Sequence, residues 1–290
     1  MPWDQDRIAI EAHYSPGAEE RRLATLARLE FLRMTEIIHR YLPPEPAVIA
    51  DVGGGPGTYA VPLAARGYTV HLLDPVAGHV ALAQERSRAL SAGKLASAQV
   101  GHALDLPWED ETIDVCLFFG PMYHITGVQE RREALREARR VLRPGGLLLA
   151  TAISRFASTF AGLARDLLAD PAFRPIVERD VSTGQHRNPE RRPGWFTTAF
   201  YHLPEDFAEE IRDGEFDLDP IIAVDGPAGY LRNLAWWLDD PDRRVTLLRT
   251  VARVETEPSL LGASPQLFAA ARKPSEPTEQ IRPDPGEARR

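Results

Sequence analysis

The chain has 290 residues, with 42 acidic side chains against 34 Lys and Arg, and a formal net charge of −8. That length supports a full core with an insertion or a cap, and the acidic balance argues against a general affinity for nucleic acid. Cys116 is the only cysteine, so a disulfide framework and a cysteine zinc site are both excluded.

Residues 1–10 lack the charged-then-apolar pattern of a leader, and no apolar run approaches the length of a bilayer span. The expectation is a cytoplasmic protein with no membrane partner. Residues 4–13 are polar with scattered apolar positions, and His13-Tyr14-Ser15-Pro16-Gly17 is a break. From 18 to 41 apolar residues recur at helical spacing until Pro43-Pro44, which predicts a helix ahead of the first strand. Strands are then predicted over 47–51, 68–74, 96–101, 113–119 and 147–153. Helices are predicted between them over 58–66, 76–92 and 128–142. This alternation predicts an α/β fold with a doubly wound, mostly parallel sheet. The 113–119 run is apolar throughout except for Asp114, which suits a central strand.

Beyond residue 153 the pattern changes. Helices are expected over 156–169 and 173–181, followed by a polar Arg-, Pro- and Gly-rich loop over 182–196. A short helix over 204–212 leads to strand six over 218–224. Helices over 227–238 and 242–254 precede strand seven over 266–271. The domain reading is a leading helical segment at 1–46, a core at 47–153 and an inserted helical cap at 154–203. The rest of the sheet follows at 204–273. A disordered tail is expected at 274–290, where prolines and charges leave almost nothing to bury.

The chemistry-bearing stretch is Asp51-Val52-Gly53-Gly54-Gly55-Pro56-Gly57-Thr58-Tyr59-Ala60. A buried strand ends in an acid, passes a glycine-rich turn and opens a helix, so free backbone N–H groups face whatever lies in the turn. Gly55 to Ala60 fits a dinucleotide pattern, G-x-G-x-x-A, which keeps a nicotinamide or flavin enzyme open. Asp51, Gly53, Gly55 and Gly57 together fit D-x-G-x-G-x-G. Asp74 ends the second strand, either to accept from ribose hydroxyls or to cap the following helix. Asp105 lies in Gly101-His102-Ala103-Leu104-Asp105-Leu106-Pro107. Phe119-Gly120-Pro121-Met122-Tyr123-His124 follows strand four, and Leu142-Arg143-Pro144-Gly145-Gly146 precedes strand five.

In this order and spacing, these five motifs resemble class I S-adenosylmethionine-dependent methyltransferases, of the bacterial small-molecule type. The resemblance covers residues 10–153 well and 200–272 in outline. It implies a seven-stranded, Rossmann-like methyltransferase fold with its last strand pair antiparallel. It also implies S-adenosyl-L-methionine as cofactor, leaving as S-adenosyl-L-homocysteine. By that resemblance Asp51, Gly53, Gly55, Gly57 and Phe119 lie at the cofactor and Asp74 at its ribose. Asp105 and Leu106 lie at the adenine, where His102 is a second candidate, and Tyr14 lies over the methionine end. No Asn/Asp-Pro-Pro-Tyr follows strand four, which argues against the amino methyltransferases that act on DNA or glutamine.

The expected activity is O-methylation, with N-methylation second, of a small-molecule or peptide-sized acceptor such as a natural product. A nicotinamide-dependent oxidoreductase and a non-catalytic cofactor-binding scaffold are the alternatives. Tyr123, His124 and His202 are candidates to orient or deprotonate the acceptor, since imidazole titrates near neutrality. Arg187, Arg191 and Arg192 are a candidate anion site, against the plainer reading of a solvated loop. Trp195, Phe196, Trp236 and Trp237 are candidate pocket walls, against the plainer reading of core. No compact His/Asp/Glu set predicts a metal.

Overall fold

The computed structural model describes residues 27–275. Tyr14, most of the leading segment and nearly all of the tail lie outside those residues.

Strand β1 (Val48–Val52) is buried from Ile49 onward and pairs in parallel with β2 (Thr69–Asp74) on one side and β4 (Ile113–Phe118) on the other. Such a strand has no solvent face to keep polar, which is why β1 and β4 read as near-continuous apolar runs. β3 (Ser97–Val100) continues outward from β2, and β5 (Leu142–Ser154) continues outward from β4. β10 (Gln266–Arg272) lies antiparallel to β5, from Gln266 opposite Ile153 to Arg272 opposite Leu147. The order is β3-β2-β1-β4-β5-β10-β8, where β8 is Asp217–Leu218. The chain moves outward from β1 to β3 and returns to β4. That reversal opens a crevice beyond the carboxyl ends of β1 and β4.

Helices cover both faces. On one face, α1 (Arg28–Tyr41), α2 (Ala60–Ala65) and α3 (Ala77–Ala89) pack Met34, Ile37, Leu63 and Val80 against Ile49, Leu72 and Val115. On the other, α5 (Val128–Val141) and α8 (Pro204–Asp213) bring Leu135, Ala138, Phe207 and Ile211 onto Cys116, Leu148 and Ala269. The short α4 (Pro121–His124) directly follows β4. Asp114 is structural here. Its Oδ2 accepts from the Val48 N–H at 2.7 Å and its Oδ1 from Arg143 at 2.6 Å, which fixes where β1 begins.

The structure departs from the sequence reading after β4. β5 starts at Leu142, because the Gly145 N–H donates to the Lys273 carbonyl at 2.8 Å and draws the Pro144-Gly145-Gly146 turn into the sheet. Strand six is two fragments, β8 and β9 (Ile222–Ala223), both paired with β10. Pro220, which has no N–H to donate, lies between them. The 227–238 helix is a 3-10 turn over Gly226–Tyr230 and then α9 (Leu234–Asp239), ahead of α10 (Pro241–Ala252) and the short α11 (Pro258–Leu261). Residues 154–203 contain α6 (Ala157–Ala164) and α7 (Arg174–Thr183), as expected, and also an unforeseen hairpin. Its strands are β6 (Gln185–His186) and β7 (Ala199–His202), and β7 runs parallel to the end of β5.

Candidate active site

The glycine turn between β1 and α2 has Gly53, Gly55 and Gly57 at φ of +76°, +55° and +80°. Side chains rarely adopt this left-handed region, so the alternating glycines are a backbone requirement. A Cβ at Gly55 would meet nothing within 4 Å, whereas one at Gly54 would come within 2.8 Å of the Asp51 carboxyl. The turn thus presents bare backbone to a cavity and packs its other side on the acid.

That cavity, open to solvent, lies beyond the carboxyl ends of β1, β2 and β4. Asp51 and Asp74 both line it. Asp51 is 1% exposed, and its Oδ2 has no hydrogen-bond partner among the described residues. Burial and the neighbouring charge of Asp74 push its carboxyl up to about 7, against a backbone N–H from Ala60 that works the other way. Asp74 is tied into the turn: Oδ2 accepts from the Gly55 N–H at 2.8 Å and Oδ1 from the Val76 N–H at 2.9 Å. His79 Nδ1 lies 3.1 Å from Asp74 Oδ1 and also faces the cavity. Asp74 therefore braces the glycine turn and borders the cavity, and the N-cap of α3 is Val76, with no side-chain capping bond.

At the β3 side, His102 and Ala103 form the wall. Asp105 and Leu106 do not. Asp105 is exposed, while Leu106 is buried in the core with its N–H on Glu137 at 2.8 Å. The turn after β3, closed by the Asp105 N–H on the His102 carbonyl at 3.3 Å, directs His102 inward. Its Nδ1 is buried with no partner among the described residues. Gly57 also lies off the cavity lining, packed against Val61 and Ala83.

Glu30 and Met34 of α1, with Tyr59, Phe119, Tyr123, His124, Thr151 and Gln266, also line the cavity. The Tyr123 hydroxyl donates to the Phe119 carbonyl at 2.9 Å, and Phe196 from the inserted segment stacks on His124 with centroids 5.9 Å apart. Tyr123 and His124 therefore meet in the crevice. His202 does not join them. It is fully buried, and its Nε2 lies 3.2 Å from Glu210, which also accepts from Arg131 Nε at 2.8 Å. Burial depresses the His202 pKa more than Glu210 raises it. Burial opposes ionisation of Glu210 too, but the bonds from Arg131 and His202 outweigh it and hold the carboxyl at about 2. This cluster is a support. Arg131 donates to the Ile125 and Thr126 carbonyls at 3.1 Å each, and Gln185 reaches Thr126 from β6, fixing the loop that carries Tyr123 and His124.

The arginine cluster lies elsewhere. Arg187 donates to the His186 and Ala199 carbonyls, and Arg192 pairs with Asp170 and Glu190. Among the described residues no group of three His, Cys, Asp or Glu side chains is placed to hold a metal ion, and no helix is long and apolar enough to cross a membrane. Trp195 packs on Phe173, Trp236 is 52% exposed beneath Arg243, and neither lines the cavity.

A family model for a methyltransferase domain matches residues 50–150, the span that carries the glycine turn, both acids and the Phe119 loop. The chain carries a class I S-adenosylmethionine-dependent methyltransferase domain. Over 101 residues it is 36% identical to the ubiquinone/menaquinone biosynthesis C-methyltransferase of Rubrivivax gelatinosus, covering 35% of this chain and 37% of that protein. Over 113 residues it is 31% identical to the ubiquinone biosynthesis O-methyltransferase of Azorhizobium caulinodans, covering 39% and 43%. The chain thus spans less than half the length of these curated relatives. A SAM-dependent methyltransferase from Methanosarcina mazei superposes with a TM-score of 0.55 at 20% identity, over 83% of this chain and 98% of that one. That likeness supports the Rossmann-like methyltransferase fold.

S-adenosylmethionine is the cofactor of such a methyltransferase domain, and the cavity fits it. A zwitterionic amino acid needs an acceptor for its ammonium, and Asp51 Oδ2 is a buried, orphaned acceptor. The bare backbone at Gly55 permits close approach, and His102 Nδ1 offers a second orphaned polar atom at the far wall. The sequence reading missed His79, Glu30, Thr151 and Gln266. Thr151 had a signal, as the lone polar residue within the apolar run of β5. Glu30 had none, since a helix acid usually faces water.

Proposed function

We propose that the methyltransferase domain moves a methyl group from S-adenosyl-L-methionine to an oxygen of a small-molecule or peptide-sized acceptor. The observation that carries this is one continuous cavity lined both by a cation-seeking carboxylate, Asp51, and by an aromatic and imidazole wall, Phe119, Tyr123 and His124. When bound, the cofactor supplies a methyl on a positively charged sulfur and leaves as S-adenosyl-L-homocysteine.

The residues of the chain supply position and dryness, which for an in-line displacement are most of the catalysis. Asp51 holds the ammonium, Gly53 and Gly55 give the backbone room, and Asp74 with His79 borders the ribose. His102 takes the place at the adenine that the sequence resemblance gave to Asp105. Tyr123 fixes Phe119 through its hydroxyl, and His124 receives the acceptor's proton as the new O–CH₃ bond forms. An acceptor that is already ionised needs no such base. Phe196 closes one side and excludes water. A cytoplasmic setting suits the lone buried thiol of Cys116.

The test is turnover. The protein is incubated with S-adenosylmethionine and a panel of phenols and aliphatic alcohols, and S-adenosylhomocysteine and methylated product are followed by mass spectrometry. Equal formation of both with at least one oxygen acceptor supports the reading. Cofactor binding without turnover on any of them counts for a scaffold role, and methylation confined to amines or carbon acceptors removes the oxygen assignment.

A further inference from the structure

We infer that the acceptor carries a neutral carboxamide group, held by the Thr151 hydroxyl of β5 and the Gln266 side-chain amide of β10; this rests on the methyl-transfer reading above. The first observation is placement. Asp51 lies level with Leu117 of β4 and Leu117 with Leu149 of β5, while Thr151 lies opposite Phe268 of β10 and Ile153 opposite Gln266. Side chains alternate between the faces of a sheet. Asp51, Phe119, Thr151 and Gln266 therefore share one face, that of Leu117, Leu149 and Phe268, and all four line the cavity. Strands about 4.8 Å apart set β5 about 10 Å and β10 about 14 Å to one side of β1. Asp74 on β2 and His102 beyond β3 lie to the other side. A cofactor that runs from Asp51 toward Asp74 and His102 leaves the β5 and β10 side to the acceptor.

The second observation is that both polar groups await a partner. Thr151 is 1% exposed and Gln266 is half-buried, and among the described residues neither side chain makes a hydrogen bond. Their polar neighbours do: Ser154 Oγ donates to the Gly262 carbonyl at 2.8 Å and Ser264 Oγ to the Gln266 carbonyl at 2.6 Å. Leaving a hydroxyl and an amide unpaired against a bound molecule is costly, so an occupant that matches them is favoured. The third observation is the kind of group they match. A Gln side chain presents an N–H donor beside a C=O acceptor, and a Thr hydroxyl serves as either. A carboxamide answers with its own C=O and N–H. A carboxylate would set acceptor against acceptor at Gln266 Oε1, and among the described residues the cavity wall holds no Lys or Arg to take its charge. An ammonium would leave the Gln266 N–H groups unmatched.

The experiment compares four phenols that differ only near the far end: 4-hydroxyphenylacetamide, its apolar counterpart of similar shape 4-isobutylphenol, 4-hydroxyphenylacetate and tyramine. Each is titrated calorimetrically into full-length protein saturated with S-adenosylhomocysteine. The amide is expected to bind at least about tenfold more tightly than any of the other three. Thr151→Val and Gln266→Leu keep shape and remove the polar atoms. Each should cut the preference for the amide over 4-isobutylphenol by about fivefold or more, partly by tightening 4-isobutylphenol, which a loosened fold would not do. Circular dichroism confirms that each variant is folded, and if neither folds, the wild-type ranking of the four phenols decides by itself. The inference is overturned if any of the other three binds as well as the amide, if none of the four binds, or if folded variants keep the wild-type preference. Should S-adenosylhomocysteine itself fail to bind, the methyl-transfer reading falls too; should it bind while the ranking fails, only the carboxamide inference falls.

Discussion

Asp51 and Asp74 end neighbouring parallel strands, and the charge of Asp74 adds to burial in holding the Asp51 carboxyl near pH 7. A group with that pKa is half protonated in the free protein at neutrality, yet an ammonium ligand requires it as the carboxylate. Binding of S-adenosylhomocysteine should therefore strengthen as pH rises through about 7 and level off above, with a loss approaching tenfold per unit on the acid side. Calorimetry between about pH 5.5 and 8.5 reads this directly, and Asp51→Asn should bind weakly with a flat profile over that range.

The same residue should trade stability for binding. Its folded pKa of about 7 lies above the ordinary 3.8, so the fold holds this proton more tightly than the unfolded chain does. The stability this contributes is full below about pH 4 and is lost as pH rises through about 7. Asp51→Asn removes the buried charge. In the absence of cofactor, its Tm should exceed that of the wild type at about pH 8, and the gap should close by about pH 5, as seen by scanning calorimetry.

Gly54 is the tightest position in the turn. An added methyl would lie 2.8 Å from the Asp51 carboxyl carbon and 2.9 Å from Leu72 Cγ, so one of them must move. Gly54→Ala should weaken S-adenosylhomocysteine binding by about tenfold or more while leaving the far-ultraviolet dichroism unchanged. Equal affinity in the two proteins would show that the carboxyl has no fixed role.

Glu210 neutralises Arg131, whose side chain is 2% exposed, and its removal strands a buried cation. Glu210→Gln should cost about 3–5 kcal/mol by urea denaturation. Because the folded pKa of about 2 lies below the ordinary 4.5, this contribution is present above about pH 4.5 and lost as pH falls toward 2. The wild type should lose stability over that window more steeply than the variant. A shallow cost at neutral pH would mean that Arg131 finds water or another partner.

The alternation of strands and helices and the glycine turn were legible in the sequence for a physical reason. Alternating Gly53, Gly55 and Gly57 are written into the chain because side chains avoid their left-handed φ, and a buried parallel strand leaves an apolar run anyone can read. The Asp105 string was not sufficient. Composition does not say which residue of a turn faces inward, and the His102 carbonyl bond to the Asp105 N–H settles it by turning Asp105 out to solvent. His202 was misread for a related reason. It lies on β7, four residues long and hidden after a polar loop, where the partner that explains its burial, Glu210, is a helix residue with no signal of its own. Strand six was overextended because Pro220 was read through, although it cannot donate to a ladder.

The central claim is that this crevice takes S-adenosylmethionine, and not a nicotinamide dinucleotide that a glycine turn of similar spacing also serves. Calorimetric titration of S-adenosylhomocysteine and, separately, NADH into the wild-type protein tests it most directly. The account predicts micromolar binding of S-adenosylhomocysteine and none of NADH. Binding of NADH with no binding of S-adenosylhomocysteine would contradict it.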